Sequence, residues 1–582
     1  MKSMDNNYQL KEIINKNMKK ELNELKYNIL IGGSAGQGMD TISALFERIL
    51  KKSGYYVYTT KDYMSRVRGG HNFIQIRFGD EEISSHYSAL DVIIALDKTT
   101  VDTHLERLQE KGVLICDDSV KSEDNRMLRV PLKKIAVEAG SPKVFGTVAV
   151  GALVQLFGIQ FENIEKLFSK KWDEKIIQAN ITAFEKGKEA SRKQFELPKG
   201  QEDKHILING NEAIAMGALA GGLDFYSAYP MTPATSIMTY LSKVSSDAGI
   251  IVEQVEDEIS AINMALGASY AGARAATGSS GGGVSLMVEA IGLSSITETP
   301  LLLVDSQRPG PATGLPTRTE QSDLSFLTTA SHGEGPRMVL SVRNVKDAFY
   351  GTARALNLAD KYQIPVILLT DQYLADTMVT VEEFDFDKIK IERYLSQEDA
   401  LEADGSYKRY KVTESGISPR ILPGKFESAV VLIDSDEHTE DSQITESAEV
   451  RNAQMEKRMR KLEALKEDLV EPDYFGAQQP EILLLGWGSM YGPLKEAVEM
   501  LQKDGVSVGA LVFGDLYPLP TKLLEKYTAA AKKVINVEQN FNGQLAKLIR
   551  METGIGMTGS ILKYDGRQLS SQEIAEKVKK EA

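Results

Sequence analysis

From residue 27 onward the chain is a succession of short apolar runs separated by amphipathic stretches. Tyr27–Ile31 predicts a strand, which passes through Gly32–Gly38 into a segment with apolar Met39, Ile42, Leu45, Phe46 and Ile49, a helical spacing. Further strands are predicted at Tyr55–Thr59, Phe73–Phe78, Val92–Ala95 and Val113–Cys116. Strands alternating with helical segments imply an α/β unit with a largely parallel sheet covered on both faces. Beyond the polar stretch Pro198–Lys204 a second such unit is predicted, with strands at Phe225–Ala228, Ile250–Gln254, Ala273–Thr277, Leu301–Asp305 and Val366–Leu369. From Thr377 to Asp473 the periodicity fades and charge rises. There Glu446–Leu469 has the Lys/Arg/Glu pattern of a solvated helix, so the segment reads as a connector wrapped over the surface. A third α/β unit opens at Glu481–Leu485 and turns through Gly486–Ser489. The expected organisation is an N-terminal extension (1–26), α/β units over 27–196, 205–376 and 474–582, and a charged connector over 377–473.

Composition narrows the function. A length of 582 residues fits roughly three or four domains. The 68 basic and 82 acidic residues give a net charge of -14, which argues against a nucleic-acid partner, since such proteins carry a basic stripe. There is no run of 18 apolar residues, and the Lys- and Asn-rich start lacks the apolar core of a secretory signal, so a soluble cytoplasmic protein without a membrane partner is expected. The single cysteine, Cys116, excludes an intrachain disulfide and cannot by itself hold an iron–sulfur cluster, which needs about four thiolates. The six histidines show no metal-binding spacing. Any redox metal is therefore expected on another chain.

Several stretches are candidates for chemistry. The loop Gly33-x-x-Gly36-x-Gly38 lies between strand and helix, where free backbone N–H groups meet phosphates, although a tight turn accounts for it equally simply. Lys61, Arg66 and Arg68, followed by Gly69-Gly70, form a basic patch suited to a polyphosphate, or else a solvated loop. In Tyr229-Pro230-Met231-Thr232-Pro233 two prolines bracket a threonine at a strand's carboxyl end, where α/β proteins bind ligands. The acidic run Glu256-Asp257-Glu258 opens a helix. It complements the helix dipole or offers a carboxylate to a ligand's ring nitrogen. Gly278-Ser279-Ser280-Gly281-Gly282-Gly283 formally matches a hydrolase elbow with Ser280 as nucleophile, but reads more naturally as backbone pressed against a flat ligand or a partner chain. Arg308 and Arg318 stand in proline-stiffened loops, fit either to pair with a carboxylate or to bridge on the surface.

Taken in order, these stretches resemble the α subunit of the 2-oxoacid:ferredoxin oxidoreductases, in the form with a γ domain fused ahead of it, and most of all the 2-oxoglutarate type. The resemblance is carried by GGSAGQG at Gly32–Gly38, SRVRGGHN at Ser65–Asn72, YPMTPAT at Tyr229–Thr235, the run Val255–Gly283, QRPGPATGLPTRTEQSDL at Gln307–Leu324, GWGSMYG at Gly486–Gly492 and Val537–Gly554. Met231, Ala234 and Thr235 depart from the family's usual YPITPSS, while Thr232 and both prolines are kept. The resemblance implies three serial α/β units: a γ domain, a thiamine diphosphate pyrimidine-binding domain and a transketolase C-terminal-like domain.

It further implies CoA-dependent oxidative decarboxylation of a 2-oxoacid with reduction of ferredoxin. Glu258 is then the carboxylate on the aminopyrimidine nitrogen, with Tyr229 and Pro230 on the same side of the cofactor. Thr232 and Arg318, with Arg308 in reserve, are expected to hold the substrate carboxylate, and Arg66 and Arg68 the phosphates of CoA. The Mg²⁺–diphosphate motif, GDG followed by a downstream Asn, is not found. This implies a β subunit carrying the diphosphate site and a [4Fe–4S] cluster, in an assembly such as (αβ)₂. Pyruvate or branched-chain 2-oxoacids as substrates, a non-catalytic scaffold, and a Ser280 hydrolase are the alternatives.

Overall fold

The structure is a computed structural model that describes residues 26–65, 69–168, 172–201 and 205–581. The chain forms two compact units, one made of residues up to Ile208 with Thr377–Glu383, the other of Asn209–Asp376 with the chain from Phe384 on.

The first unit is built on an eight-stranded sheet in the order Met127–Arg129, Leu108–Cys116, Leu90–Ala95, Tyr27–Ala35, Gly69–Gly79, Tyr56–Asp62, Met378–Glu382, His205–Asn209. Its first four strands are parallel neighbours. Gly69–Gly79 runs antiparallel to the strands on both sides, so the sheet is mixed rather than largely parallel. The cause is loop length. The short link after Asp62 cannot make the dozen-residue crossover that parallel pairing needs. Two strands come from outside the expected 27–196 unit. His205–Asn209 had been placed with the second unit and Met378–Glu382 with the connector. The latter pairs antiparallel with Tyr56–Asp62, and the Val57 N–H donates to Thr380 Oγ1 at 2.7 Å.

The second unit holds a seven-stranded sheet ordered Asp515–Tyr517, Met338–Ser341, Pro365–Asp371, Leu301–Gln307, Ala275–Ser279, Phe225–Ala228, Ile251–Gln254. It is parallel except for the first strand. A five-stranded sheet follows, ordered Asp473–Gly476, Val508–Phe513, Ile482–Trp487, Lys533–Glu538, Gly559–Leu562, with its last four strands parallel. The two sheets share one core, in which Leu303, Val339 and Leu369 of the first pack in the same cluster as Leu485, Trp487 and Phe513 of the second.

The connector departs from its expected solvated character. The helix Ala448–Leu465 forms where the charge pattern predicts one, but Lys457 and Lys461 on it are fully buried and grip the buried Glu298 at 2.6 and 2.5 Å. Asp360 likewise gathers Arg274, Arg420 and Arg393 at 2.8, 2.8 and 3.1 Å, two of which (Arg393 and Arg420) belong to the connector. Charge pattern alone cannot separate a hydrated lysine from one paired inside, because the partner lies more than a hundred residues away.

Candidate active site

In an open parallel sheet the crevice beyond the carboxyl ends of the strands is where ligands bind. Here four consecutive strand ends of the seven-stranded sheet deliver the candidate residues to that edge. After Phe225–Ala228 comes the Tyr229–Pro233 loop, with Tyr229 exposed and Thr232 half-buried. The loop is pinned from below by the buried Asn211, whose amide donates to Pro233 O at 2.8 Å and Ser236 Oγ at 2.7 Å. From the side, Arg308 Nη1 donates to Thr232 O at 2.9 Å, so the structure brings these two candidates together.

After Ile251–Gln254, Asp257 caps the helix Glu258–Ala271 by accepting from the Ser260 N–H at 2.7 Å. Of the acidic run, Asp257 thus serves the helix end. Glu258, in the first turn, turns inward instead, is only 4% exposed, and has one carboxylate oxygen, Oε1, without a hydrogen-bond partner. Against it lies the glycine-rich run. A Cβ on Gly283 would stand 2.7 Å from Glu258 Oε1 and would strike Ser279 Oγ. One on Gly278 would stand 2.5 Å from the Tyr226 hydroxyl, itself buried and unpartnered. The glycines therefore let backbone close over a buried carboxylate, and leave a set of orphaned polar atoms (Glu258 Oε1, Ser279 Oγ, Tyr226 OH) that a bound polar ring would satisfy.

Beyond Arg308 lies an acidic group that the sequence reading did not single out. Asp305, fully buried at the end of its strand, has neither carboxylate oxygen hydrogen-bonded and faces Asp323. Burial and this neighbour push Asp305 far up, and burial raises Asp323 also, to about 6. Burial, with Asp323 nearby, pushes Glu320 up to about 7, and burial lifts Asp371, at the next strand end, to about 6 despite the Ser489 hydroxyl donating to it. A local signal for Asp305 was present: a single carboxylate closes the otherwise apolar run Leu301–Val304. Arg318 lies half-buried further along the same loop, its N–H donating to Leu315 O at 3.1 Å.

The other candidates fare differently. Arg66 and Arg68 lie outside the described residues, while Lys61 pairs with Asp40 at 3.0 Å. In the first glycine loop Gly36 and Gly38 take positive φ, and the Gln37 side chain accepts from the Ser34 N–H at 2.7 Å, which takes up one of the donors a phosphate would use. Ser280 is buried with its hydroxyl unpartnered, and so has no base beside it of the kind a hydrolase needs. Two of the histidines that look scattered in sequence do meet, His71 Nε2 lying 2.8 Å from His104 Nε2. Burial pushes both down, His104 to about 3. Among the described residues no three His, Cys, Asp or Glu side chains group to hold a metal, and no helix is long and apolar enough to cross a membrane.

Comparison with known proteins bears on these arrangements. Residues 28–190 match the family model described as pyruvate ferredoxin/flavodoxin oxidoreductase, 216–461 its thiamine diphosphate-binding domain, and 480–574 core domain II of pyruvate:ferredoxin oxidoreductase. The α subunit of a 2-oxoacid:ferredoxin oxidoreductase from a Sulfolobus species is 33% identical across 95% of this chain and 96% of its own length. The chain belongs to the 2-oxoacid:ferredoxin oxidoreductases, as an α subunit. Subunit KorA of the Mycobacterium tuberculosis 2-oxoglutarate oxidoreductase is 29% identical over 94% of the chain and 90% of its own. The solved 2-oxoglutarate:ferredoxin oxidoreductase of Magnetococcus marinus, with 2-oxoglutarate, coenzyme A and succinyl-CoA bound, superimposes with a TM-score of 0.90 at 32% identity, covering 96% of this chain and 99% of that one. In this oxidoreductase subunit Tyr229, Pro230, Thr232, Glu258, Arg308 and Arg318 all fall within the thiamine diphosphate-binding match, and Arg66 and Arg68 within the first.

Proposed function

We propose that this chain is the α half of an enzyme that joins a separate β subunit to convert a 2-oxoacid and CoA into acyl-CoA and CO₂, with two electrons passing one at a time to ferredoxin. The C1–C2 bond of the oxoacid breaks, a thioester C–S bond forms, and the electrons leave through a [4Fe–4S] cluster on the β subunit. We favour 2-oxoglutarate as substrate, because relatives of matching length named for it include one solved with 2-oxoglutarate bound. Pyruvate or a branched-chain 2-oxoacid is the alternative within the same chemistry.

The observation that carries the reading is Glu258, a buried carboxylate whose unpartnered oxygen lies against the glycine run at the strand ends. The residues fit the pyrimidine side of thiamine diphosphate: Glu258 would hold a ring nitrogen, with Tyr229 and Pro230 on the same side of the cofactor. When bound, that cofactor supplies the carbon nucleophile that attacks the 2-oxo carbon. Glu258 holds a proton at the ring nitrogen and tunes the neighbouring amino group as a base. Thr232, held by Asn211 and Arg308, presents its hydroxyl toward the substrate, and Arg308 and Arg318 offer positive charge to its carboxylates. We assign Mg²⁺ and the diphosphate to the β subunit. Cys116, buried with its thiol pushed by burial to about 11, supports placing the cluster there as well. Arg66 and Arg68 we propose for the CoA phosphates, (αβ)₂ as the assembly and the cytoplasm as its setting.

The test is reconstitution. With β subunit, thiamine diphosphate, Mg²⁺ and CoA, a panel of 2-oxoacids should reduce a low-potential dye, 2-oxoglutarate fastest. If no 2-oxoacid is turned over by the assembled complex, the reading is wrong. Unchanged turnover in Glu258→Gln would favour a scaffold role instead. Labelling of Ser280 by a fluorophosphonate would revive the hydrolase.

A further inference from the structure

The third domain has a ligand-type crevice of its own, and a loop of the second domain fills it. In the five-stranded sheet, Ile482–Trp487 comes first among the parallel strands, with Val508–Phe513 on one side and Lys533–Glu538 on the other. The strand order therefore reverses between Ile482–Trp487 and Lys533–Glu538, and the crevice beyond their carboxyl ends is the switch point where such sheets bind ligands. Gln321, only 1% exposed, occupies it. Its Nε2 donates to Trp487 O at 2.9 Å, at the end of one strand, and its Oε1 accepts from the Gln539 N–H at 3.2 Å, just past the end of the other.

The Gln321 backbone is held as well. Its N–H donates to Gln539 O at 2.8 Å, and its carbonyl accepts from Asn540 Nδ2 at 3.0 Å. Gly488, at φ 55°, admits the side chain closely: a Cβ there would stand 3.1 Å from Gln321 Nε2. On either side the same loop is tied to the same domain. The Thr319 N–H donates to Gly566 O at 3.2 Å, Gln544 Nε2 donates to Ser322 O at 2.7 Å, and the Ser325 N–H donates to Gln544 Oε1 at 2.9 Å. All four hydrogen-bonding groups of Gln321, two in the side chain and two in the backbone, are thus spent across the domain boundary, between Arg318 and Asp323.

We infer that the third domain acts as a clamp on the substrate loop, with Gln321 taking the place of a ligand in its crevice, and that Gln321 is a positioning residue for Arg318 and Asp323. This rests on the reading above that the loop meets the carboxylate of the oxoacid. The clamp fixes the loop's exit as Arg308 fixes the Thr232 loop, so the cationic groups are ordered before substrate arrives.

The test uses the assembled αβ complex and two variants. Gln321→Met keeps the side-chain length but cannot bond to Trp487 O or to the Gln539 N–H. Gln321→Glu keeps the acceptor for Gln539 and loses the donor. Gln321→Met should raise the KM for the oxoacid about tenfold or more with kcat changed less than about threefold, and Gln321→Glu should fall between it and wild type. Hydrogen exchange in peptides spanning 308–323 should quicken about tenfold, with strands 301–307 and 365–371 unchanged. Should Gln321→Met not assemble, Gln321→Glu alone decides by the same two readouts. A KM within twofold of wild type for the variant, where Arg318→Ala raises it, overturns the clamp. So does unchanged exchange in the loop. If Arg318→Ala itself leaves KM unchanged, the substrate reading of the loop fails, and exchange still decides whether Gln321 clamps it.

Discussion

Two clusters of buried charge in the second compact unit obey opposite rules. Glu298 is enclosed by Lys457 and Lys461, each completely buried, with Arg409 near. Burial alone would raise the Glu298 carboxyl, yet the three cations bring it well below the ordinary range. At the strand ends, the buried Glu258 and Asp305 and the half-buried Asp323 make no such ion pair among the described residues, and Asp305 and Asp323 are pushed up rather than down. A carboxylate that burial has stripped of water demands a partner. The first cluster finds it within the chain and joins connector to domain. The second leaves the demand open, which raises the intrinsic cost of the fold. Buried charge by itself says little; the state of its partners separates a rivet from a site.

That contrast breaks most sharply at Glu258. Glu258→Gln should cut turnover of the complex by about 10²–10⁴-fold, while the thermal midpoint of the chain stays level or rises, because no internal partner is lost. Equal losses of folding and activity would erase the distinction. At the rivet the outcome should invert. Lys461→Met should destabilise the chain by about 3–5 kcal/mol in denaturant titration, with turnover per folded molecule kept, since it removes one of the two lysines paired with the buried Glu298. Replacing Glu298, Lys457 and Lys461 together by leucine and methionines should recover most of that loss.

Asp371 refines the comparison through pH. Its carboxyl rises from the ordinary 3.8 to about 6 on folding, so the folded state holds a proton that the unfolded state has released. Stability from this group is therefore present below about pH 4, falls as pH rises to about 6, and is constant above. Asp371→Asn should be stabilised relative to wild type by up to about 3 kcal/mol more at pH 7.5 than at pH 4, read from paired unfolding curves. A difference independent of pH would mean that Asp371 is ionised throughout. The smallest effect marks the solvent limit: Lys98→Ala, which removes a 2.6 Å pair with Asp102 in which both side chains are more than half exposed, should cost under about 0.5 kcal/mol.

Much of the site was legible along the chain because its parts are local. Proline on both sides of Thr232, an acidic run opening the helix at Glu258, and six Gly and Ser residues after a strand each describe their own neighbourhood. What those stretches left open was direction. Asp257 and Glu258 are adjacent and alike, yet one caps the helix and the other turns inward, because successive residues at a helix start point about 100° apart. Arg308 stood in reserve behind Arg318, and only the fold ties Arg308 to Thr232. The roles of Asp323 and Gln321 are set by residues far from them in sequence, and Asp305 announces itself only as the one carboxylate closing an apolar run.

The sequence alone determined the alternation of strands and helices, the glycine and proline turns that close them, and the family to which the ordered motifs point. Each depends on residues within a few positions of one another, where φ/ψ preference and side-chain period act directly. The tertiary structure alone decided that residues 205–209 and 378–382 complete the first sheet, that Lys457 and Lys461 close on Glu298, and that Gln321 bridges Trp487 and Gln539. These pairings join residues more than a hundred positions apart, and their partners are fixed by which strand ends the sheets bring together, not by local preference.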